Sequence, residues 1–330
     1  MTPRLPPVSV VVPTFQRRQR LPRLLAPLLS DAATHEVVVI DDGSTDGSAE
    51  VLACIADDNP RVRVVRTPNR GQAPAQDLGA SLAAGDVVLF IDDDVVPRAN
   101  LVSGHSRRHT GEPNLVVVGY MPVLPASGTS MDWIVQRYAR EYARRVAEWE
   151  RAQERILLGL WGGNVSLRRT HLDKVPLAAP DYHIRYHVDL DFGLRCRRAG
   201  LRGVFDRSLD ATHEYSRTVD GFLRDQAASA ADRVILHRMH ADVLGPLPEP
   251  YFRSDASLPA RIALRALRGR GSRSAQRLLE SVVARAGRHG RSRVEAQACD
   301  LLQRLAGQQI ARGAQMEGLP PGPRRIDLQA

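Results

Sequence analysis

Cysteine, lysine and long apolar runs are all scarce in this chain of 330 residues. The three cysteines, Cys54, Cys196 and Cys299, are odd in number and far apart. That spacing offers neither a disulfide framework nor a zinc-ligand pattern, so a reducing cytoplasm is the expected compartment. No apolar stretch approaches the roughly 20 residues that a membrane-crossing helix needs. The opening residues, MTPRLPPVSVVVPTF, lack the layout of a secretory leader. Among 46 basic side chains only Lys174 is a lysine; the others are arginine. A formal charge of +9 and a pI of about 10.1 invite a nucleic-acid reading. The excess is local, however. Beyond about residue 255 arginines outnumber acids by about eight, which leaves the first 250 residues near neutral. A solvated basic tail accounts for the charge, and no nucleic acid is expected as a partner.

What is present is a regular alternation. VSVVVP (Val8 to Pro13) is a continuous apolar run, as in a strand covered on both faces. Leu21, Leu24, Leu25, Leu28 and Leu29 then recur at helical spacing. EVVVIDD predicts a second strand, followed by a helix with Ser44 or Asp46 as N-cap. VRVVRT is a third strand, GASLAAG closes a helix at Gly85, and DVVLFI is a fourth strand. Such alternation predicts βαβ units and a mostly parallel sheet flanked by helices. In sheets of this kind the ligand crevice lies beyond the carboxyl ends of the strands. Pro13-Thr14, Asp41-Asp42 and Asp92-Asp93-Asp94 all fall at such ends and converge on one edge.

LVVVGY (Leu115 to Tyr120) predicts a further strand, and a long charged helix follows over Asp132 to Trp161. Its stripe of Trp133, Ile134, Tyr138, Tyr142, Val146 and Trp149 is read as core or partner contact rather than a cofactor box. WGGNVSLRR is a turn entering a short strand, and DLDFGLRCRRAG a helix closed by Gly200. Prolines and glycines over Leu244 to Phe252 suggest a linker. The expected organisation is therefore an α/β domain over residues 1–250 and an arginine-rich helical region over 251–330.

Two acidic clusters stand out. Carboxylates at a strand end fit oxygen coordination of a hard divalent cation, Mg²⁺ or Mn²⁺, which substrate phosphates complete. A nearby arginine or plain solvent would also relieve the repulsion in Asp92-Asp93-Asp94, and Pro97 is placed to open a following helix. The pair Asp41-Asp42, followed by Gly-Ser-Thr-Asp, suits either a nucleoside contact or an Asx-type turn with a helix cap.

VSVVVPTFQR, VVVIDDGSTD, NRGQAPAQDLGASLAAGDVVLFIDDDVVP, WGGNVSLRR and HVDLDFGLRCRRAG follow in the order and spacing of family 2 glycosyltransferases. The resemblance covers roughly residues 7 to 240. It implies an α/β fold of the GT-A type and inverting transfer of one sugar from a nucleotide-diphospho-sugar, a UDP-sugar being expected. Pro13, Thr14 and Phe15 would line the base pocket; Asp42 would bind the base, with Asp41 in support. The triplet would supply the DxD motif as Asp92-x-Asp94. Asp94 would bind the cation, and Asp92 or Asp93 would reach the ribose or order the site. His213 is placed where some related enzymes have a further metal ligand. Asp189 would be the general base that takes the acceptor's proton, with Asp191 as a cap or orienting group. Trp161, Gly162, Gly163 and Asn164 would form a loop facing acceptor or diphosphate.

There are departures from the family pattern. Val188 stands where a glutamate is usual, and Gln76-Asp77 where Arg-Asn is common. The Gln-x-x-Arg-Trp motif of processive synthases is missing, which favours single-sugar transfer. The expected partners are a nucleotide-sugar and a saccharide, lipid-linked or small-molecule acceptor. Peripheral contact with the inner membrane face through the C-terminal region is also expected. An inactive GT-A-like scaffold and a sugar nucleotidyltransferase are the alternatives; the latter would want glycines in PTFQRRQRLP, which has none.

Overall fold

The computed structural model describes residues 5–124, 133–179, 184–245, 272–291, 293–295 and 297–305. The chain divides into two compact units. The first comprises residues 1–131, 135–183 and 188–216, and the second residues 132–134, 184–187 and 217–330. The expected linker at Leu244 to Phe252 falls largely outside the described residues.

The first unit is built on eight strands: β1 (Val8–Thr14), β2 (Thr34–Asp41), β3 (Val62–Arg66), β4 (Val87–Ile91), β5 (Val95–Pro97), β6 (Leu115–Tyr120), β7 (Asn164–Arg168) and β8 (Arg202–His213). Their order across the sheet is β3-β2-β1-β4-β7-β6-β8-β5. Strands β3, β2, β1 and β4 run parallel, as do β6 and β8, whereas β7 is antiparallel to both β4 and β6. The mostly parallel α/β expectation holds. Every residue of β1 and of β4 is buried, as their unbroken apolar runs require.

Helices α1 (Leu21–Ser30), α2 (Ser48–Asp58), α3 (Gln72–Leu82) and α4 (Leu101–Arg108) pack on the sheet. Leu21, Leu24, Leu25 and Leu28 of α1 are fully buried, one leucine stripe at helical spacing facing the strands. Helix α2 is entered through Gly47 at φ 88°, not through a Ser44 or Asp46 N-cap. Asp46 instead accepts from the Ser48 N–H and hydroxyl two positions later. Helix α3 ends at Leu82, three residues before Gly85. Pro97 opens no helix: it lies in β5, paired antiparallel with β8, and α4 starts at Leu101.

Helix α5 (Trp133–Arg151) stops ten residues short of the expected end; a 3-10 turn over Gln153–Leu158 follows. Then come α6 (Arg169–Leu172) and α7 (Val188–Arg198), which Gly200 closes at φ 81°. Strand β8 has no counterpart in the sequence reading. Asp206 turns the chain by accepting from both Ser208 N–H and its hydroxyl, and the register with β6 jumps from Asp206 to Asp210. That bulge interrupts the apolar alternation that would reveal a strand.

The second unit is helical, with α8 (Val219–Met239), α9 (Ala241–Leu244) and α10 (Ser272–Arg288). Within it Asp232 of α8 accepts the backbone N–H groups of Arg185, Tyr186 and His187. Among the described residues no helix is long and apolar enough to cross a membrane.

Candidate active site

Strand order reverses at β1, whose neighbours are β2 on one side and β4 on the other. An α/β sheet opens a crevice at such a point, beyond the carboxyl ends of the strands. Here that crevice is a cleft of about 310 Å³ lined by Pro13, Thr14, Phe15, Arg17, Asp42, Asn69, Gly71, Gln72, Ala75 and the three aspartates Asp92, Asp93 and Asp94. Its size falls at the lower end of the roughly 300–1,000 Å³ of small-molecule sites. Because β7 runs antiparallel beside β4, its first residue, Asn164, pairs with Ile91. The Gly162-Gly163 turn is thereby set next to Asp92, whose N–H donates to the Gly163 carbonyl over 3.3 Å. Strand β8 ends at His213, opposite Val95.

The acidic pair at the end of β2 is bound inward. Asp41, wholly buried, accepts from the Ser44 N–H at 2.9 Å and lies 3.6 Å from Arg66 Nε. Asp42 Oδ1 accepts from the Arg70 N–H at 2.8 Å and the Thr67 hydroxyl at 3.2 Å, while Oδ2 accepts from the Gly71 N–H at 2.8 Å. Asp42 thus holds the turn that delivers α3 while its carboxylate borders the cleft. A carboxylate has about four acceptor positions, so one remains for a ligand.

The triplet at the end of β4 is handled differently, and its members diverge. Asp93 accepts from Arg17 Nε at 3.0 Å and the Phe15 N–H at 3.1 Å. Burial raises its pKa and Asp94 adds repulsion, against which Arg17 works. Asp94 lies 3.3 Å from His213 Nε2 and 3.9 Å from Arg17 Nη2. Burial pushes Asp94 up, but His213, Arg17 and Arg20 together outweigh it and hold the carboxyl below its ordinary value. Asp92 receives one side-chain hydrogen bond, from Gln72 Nε2 at 2.7 Å. Burial first, then Asp94, Asp189 and Asp93, drive its pKa well above the ordinary carboxylate value.

Asp189, in the first turn of α7, accepts the Gly162 N–H at 2.9 Å. Burial raises its pKa, with the Gly162 bond opposing. Gly162 has no room for a side chain: a Cβ there would lie 2.5 Å from Asp189 Oδ1. Gly163, at φ 98°, would place a Cβ 2.9 Å from Asp92 Oδ2. Two glycines therefore let one turn touch both carboxylates. Asp191 is buried and paired with Arg195 at 2.8 Å, which fits an orienting role within α7. Asp77 anchors the Leu177-Ala178 backbone, accepting both N–H groups.

Trp161 donates through Nε1 to the Tyr138 hydroxyl at 2.7 Å. Tyr138 stacks on Tyr215 with ring centroids 4.0 Å apart and meets His213 edge-on at 5.3 Å. Asn164 is buried, its amide spent on partners inside the fold. Arg217 forms a two-pronged ion pair with Asp225 in the second unit.

The structure thus brings Pro13, Thr14, Phe15, Asp42 and the triplet into one cleft, with His213 against Asp94. Arg17, Asn69, Gly71 and Gln72 also line it and were not singled out from the sequence. Their signal is positional: Arg17 follows β1 directly, and Gly71-Gln72 opens α3. Among the described residues no three His, Cys, Asp or Glu side chains are grouped closely enough to hold a metal ion by themselves.

The model of Glycosyl transferase family 2 matches residues 9–175. An uncharacterized glycosyltransferase of Bacillus subtilis, YfnE, is 34% identical over 113 residues, covering 34% of this chain and 29% of that protein. The glycosyltransferase GlyG of Streptococcus pneumoniae is 26% identical over 154 residues, covering 43% of this chain and 51% of its own. The chain therefore spans only about a third to a half of these relatives. Among solved structures, the mannosyltransferase PcManGT from Pyrobaculum calidifontis, in complex with GDP-Man and Mn²⁺, superposes with a TM-score of 0.62 at 20% identity. That match covers 94% of this chain and 88% of the other, and it establishes the shared fold.

Proposed function

Since the chain belongs to glycosyl transferase family 2, we propose that it moves a single sugar from a nucleoside-diphospho-sugar to an acceptor hydroxyl, with inversion at the anomeric carbon. One observation carries this reading. Asp92 at the end of β4 and Asp189 on α7 are both bonded to a single two-glycine turn that leads into β7 beside β4.

In this reading Pro13, Thr14, Phe15 and Asp42 receive the nucleoside, with uridine as the first choice of base. The acceptor is a saccharide, lipid-linked or small-molecule hydroxyl. Asp189 accepts its proton as the oxygen attacks the anomeric carbon. The acceptor O–C bond forms as the bond to the diphosphate oxygen breaks, so one in-line displacement inverts the centre. Burial helps Asp189, because a raised pKa makes the carboxylate a better base while the Gly162 N–H keeps it oriented.

The donor set fits a divalent cation. Asp94 offers an ionised oxygen beside the His213 imidazole, and Asp92 carries repulsion that a hydrogen bond from Gln72 partly relieves. A carboxylate beside an imidazole, Asp94 with His213, suits Mn²⁺ better than Mg²⁺. Fewer than three clustered ligands is what such sites show when phosphates and water complete them. Bound there, the cation would supply charge neutralisation for the departing diphosphate.

The test is release of nucleoside diphosphate from a panel of UDP- and GDP-sugars with Mn²⁺ or Mg²⁺ and an acceptor mixture. We expect Asp189→Asn to lower kcat by about 10²–10⁴-fold, the usual contribution of general base catalysis, with donor binding retained. Unchanged turnover in that variant would remove Asp189 from the mechanism. Pyrophosphate formed from a nucleoside triphosphate and a sugar phosphate would instead identify a nucleotidyltransferase.

The arginine excess beyond residue 255 supports peripheral contact with anionic membranes. Salt-sensitive pelleting with anionic vesicles by the full chain, lost on truncation near Pro250, is the expected result; equal pelleting would remove the idea.

A further inference from the structure

Behind the turn that carries the proposed chemistry lies a buried polar network of a kind that a strand-helix interface does not need. Asn164, Ser166 and Arg168 alternate along β7, so they share one face of the strand. That face meets His105 of α4 and His109, its C-cap residue, four positions apart on one helix side. Both imidazoles, Ser166 and Asn164 are essentially without solvent exposure. Burying four polar side chains is costly unless each is hydrogen-bonded, and here nearly every group has a partner.

The partners fix where each proton sits. Asn164 Nδ2 faces two carbonyls, Leu209 at 3.0 Å and Tyr120 at 3.4 Å. The amide group must donate there, so its Oδ1 is the atom 2.9 Å from His105 Nε2. His105 Nε2 therefore carries a proton. Ser166 Oγ lies 2.8 Å from His105 Nδ1 and 2.8 Å from His109 Nε2. A serine hydroxyl has one proton to donate. If it goes to His105 Nδ1, the oxygen accepts from His109 Nε2–H, and the bare nitrogen left over is His109 Nδ1. Among the ring, amide and hydroxyl atoms of His105, His109, Ser166 and Asn164, that atom is the one found without a hydrogen-bond partner; Arg168 Nε, on the same strand face, also has none. An unused lone pair is a lesser loss than an unused buried N–H. A second proton on His105 would turn the Ser166 hydroxyl toward His109 Nε2 and leave His109 Nδ1 with an unused buried N–H. Burial independently keeps both rings neutral, with His105 lowered to about 4 and His109 to about 3.

The chain ends on Asn164, which is bonded to three neighbouring elements at once: β6 through Tyr120, β8 through Leu209 and α4 through His105. Space is made for it by Gly119, where a Cβ would lie 2.2 Å from Asn164 Nδ2. The residues just before Asn164 are Gly162 and Gly163, which hold Asp189 and Asp92. We propose that His109, Ser166 and His105 form a one-directional hydrogen-bond chain that positions Asn164, and through it the Gly162-Gly163 turn and the two carboxylates. None of the three is a catalytic residue; each acts through the turn. The mechanistic consequence rests on the glycosyltransferase reading, whereas the chain itself does not.

The experiment has a part that needs no variant. Long-range ¹H–¹⁵N spectra of the full-length protein are expected to show His105 and His109 as neutral Nε2–H tautomers, unchanged between about pH 5.5 and 8 given the depressed values above. A neutral Nδ1–H tautomer at either ring, or titration in that range, would overturn the chain. The positioning role is read from amide hydrogen exchange at Gly162 and Asp92, with Val38 of β2 as a remote control. His105→Gln keeps a donor where Nε2 was, whereas His105→Asn does not. We expect His105→Asn to lose about tenfold or more protection at Gly162 and Asp92 but not at Val38, with His105→Gln near wild type. Equal protection in both variants, or loss spread evenly to Val38, would reduce the network to ordinary packing. Once a donor is found, His105→Asn should lower kcat by about 10–10²-fold with donor KM nearly unchanged, the mark of a misplaced reacting group. Failure of the wild type to turn over any donor would sink the glycosyltransferase reading while leaving the tautomer and exchange results to decide this one.

Discussion

The acidic ends of β2 and β4 lie on either side of β1 and face the same cleft, yet their charges are satisfied in opposite ways. Asp41 and Asp42 collect backbone N–H groups from Ser44, Arg70 and Gly71. Those bonds come from the backbone, and the last two build the turn that opens α3. Asp92, Asp93 and Asp94 draw mainly on side chains instead: Gln72, Arg17 and His213. The pair is therefore held by the fold, while the triplet stores repulsion that the fold only partly cancels. Asp92 keeps most of it, since burial and three other aspartates all act against its charge. A strand end whose carboxylates are bonded to backbone is architecture that can also take a ligand. One whose carboxylates crowd each other is waiting for positive charge.

That contrast can be broken by three substitutions. Asp94→Ala removes the carboxylate that His213 and Arg17 keep ionised. We expect sugar transfer to fall by about 10²–10³-fold, the several kcal/mol that a cation at a departing diphosphate supplies. Nucleoside diphosphate release measures it, and near-normal turnover would move the cation site elsewhere. Asp42→Ala frees the Arg70 and Gly71 amides and the Thr67 hydroxyl. It should cost about 1–3 kcal/mol in urea unfolding, the penalty for unpaired polar groups. Asp92→Asn should do the reverse and stabilise the protein by about 0.5–2 kcal/mol while lowering turnover, as relief of a strained site does.

The last effect has a defined pH dependence. A carboxyl whose folded pKa is raised binds its proton more tightly in the native state than in the unfolded chain. As pH rises past the ordinary value of 3.8, the unfolded chain ionises first and native stability falls. The stabilising effect of Asp92→Asn should therefore be larger at pH 7 than at pH 4. Matched unfolding curves at the two values check this. Equal gains, or destabilisation at pH 7, would mean that Asp92 is not the crowded carboxylate.

Much of the parallel half of the sheet is legible because its strands are unbroken apolar runs bounded by polar turns. Burial on both faces leaves no other pattern for β1 and β4. Strand β8 is illegible for the converse reason: its bulge at Asp206 to Ser208 interrupts the alternation with charge. The helix over α5 is overextended in the sequence reading because Gln153–Leu158 keeps helical spacing while adopting a tighter 3-10 turn. Asn164, expected in a loop facing acceptor or diphosphate, begins β7 with its side chain turned inward, bonded to His105 and to the Leu209 carbonyl. No local pattern reports that, since both partners lie far away in sequence.

By itself the sequence determined the strand ends and the carboxylates at them, because strand periodicity and polar punctuation are local properties, while its ordered motifs carried the family resemblance. Tertiary structure alone decided which partner each aspartate meets. Arg17 reaches Asp93 across 76 positions and His213 reaches Asp94 from β8. Asp189 meets the Gly162 amide across 27 positions, and Asp92 is left to carry the repulsion. Electrostatic interaction depends on distance through space and on burial, and neither is written in the order of residues along a chain.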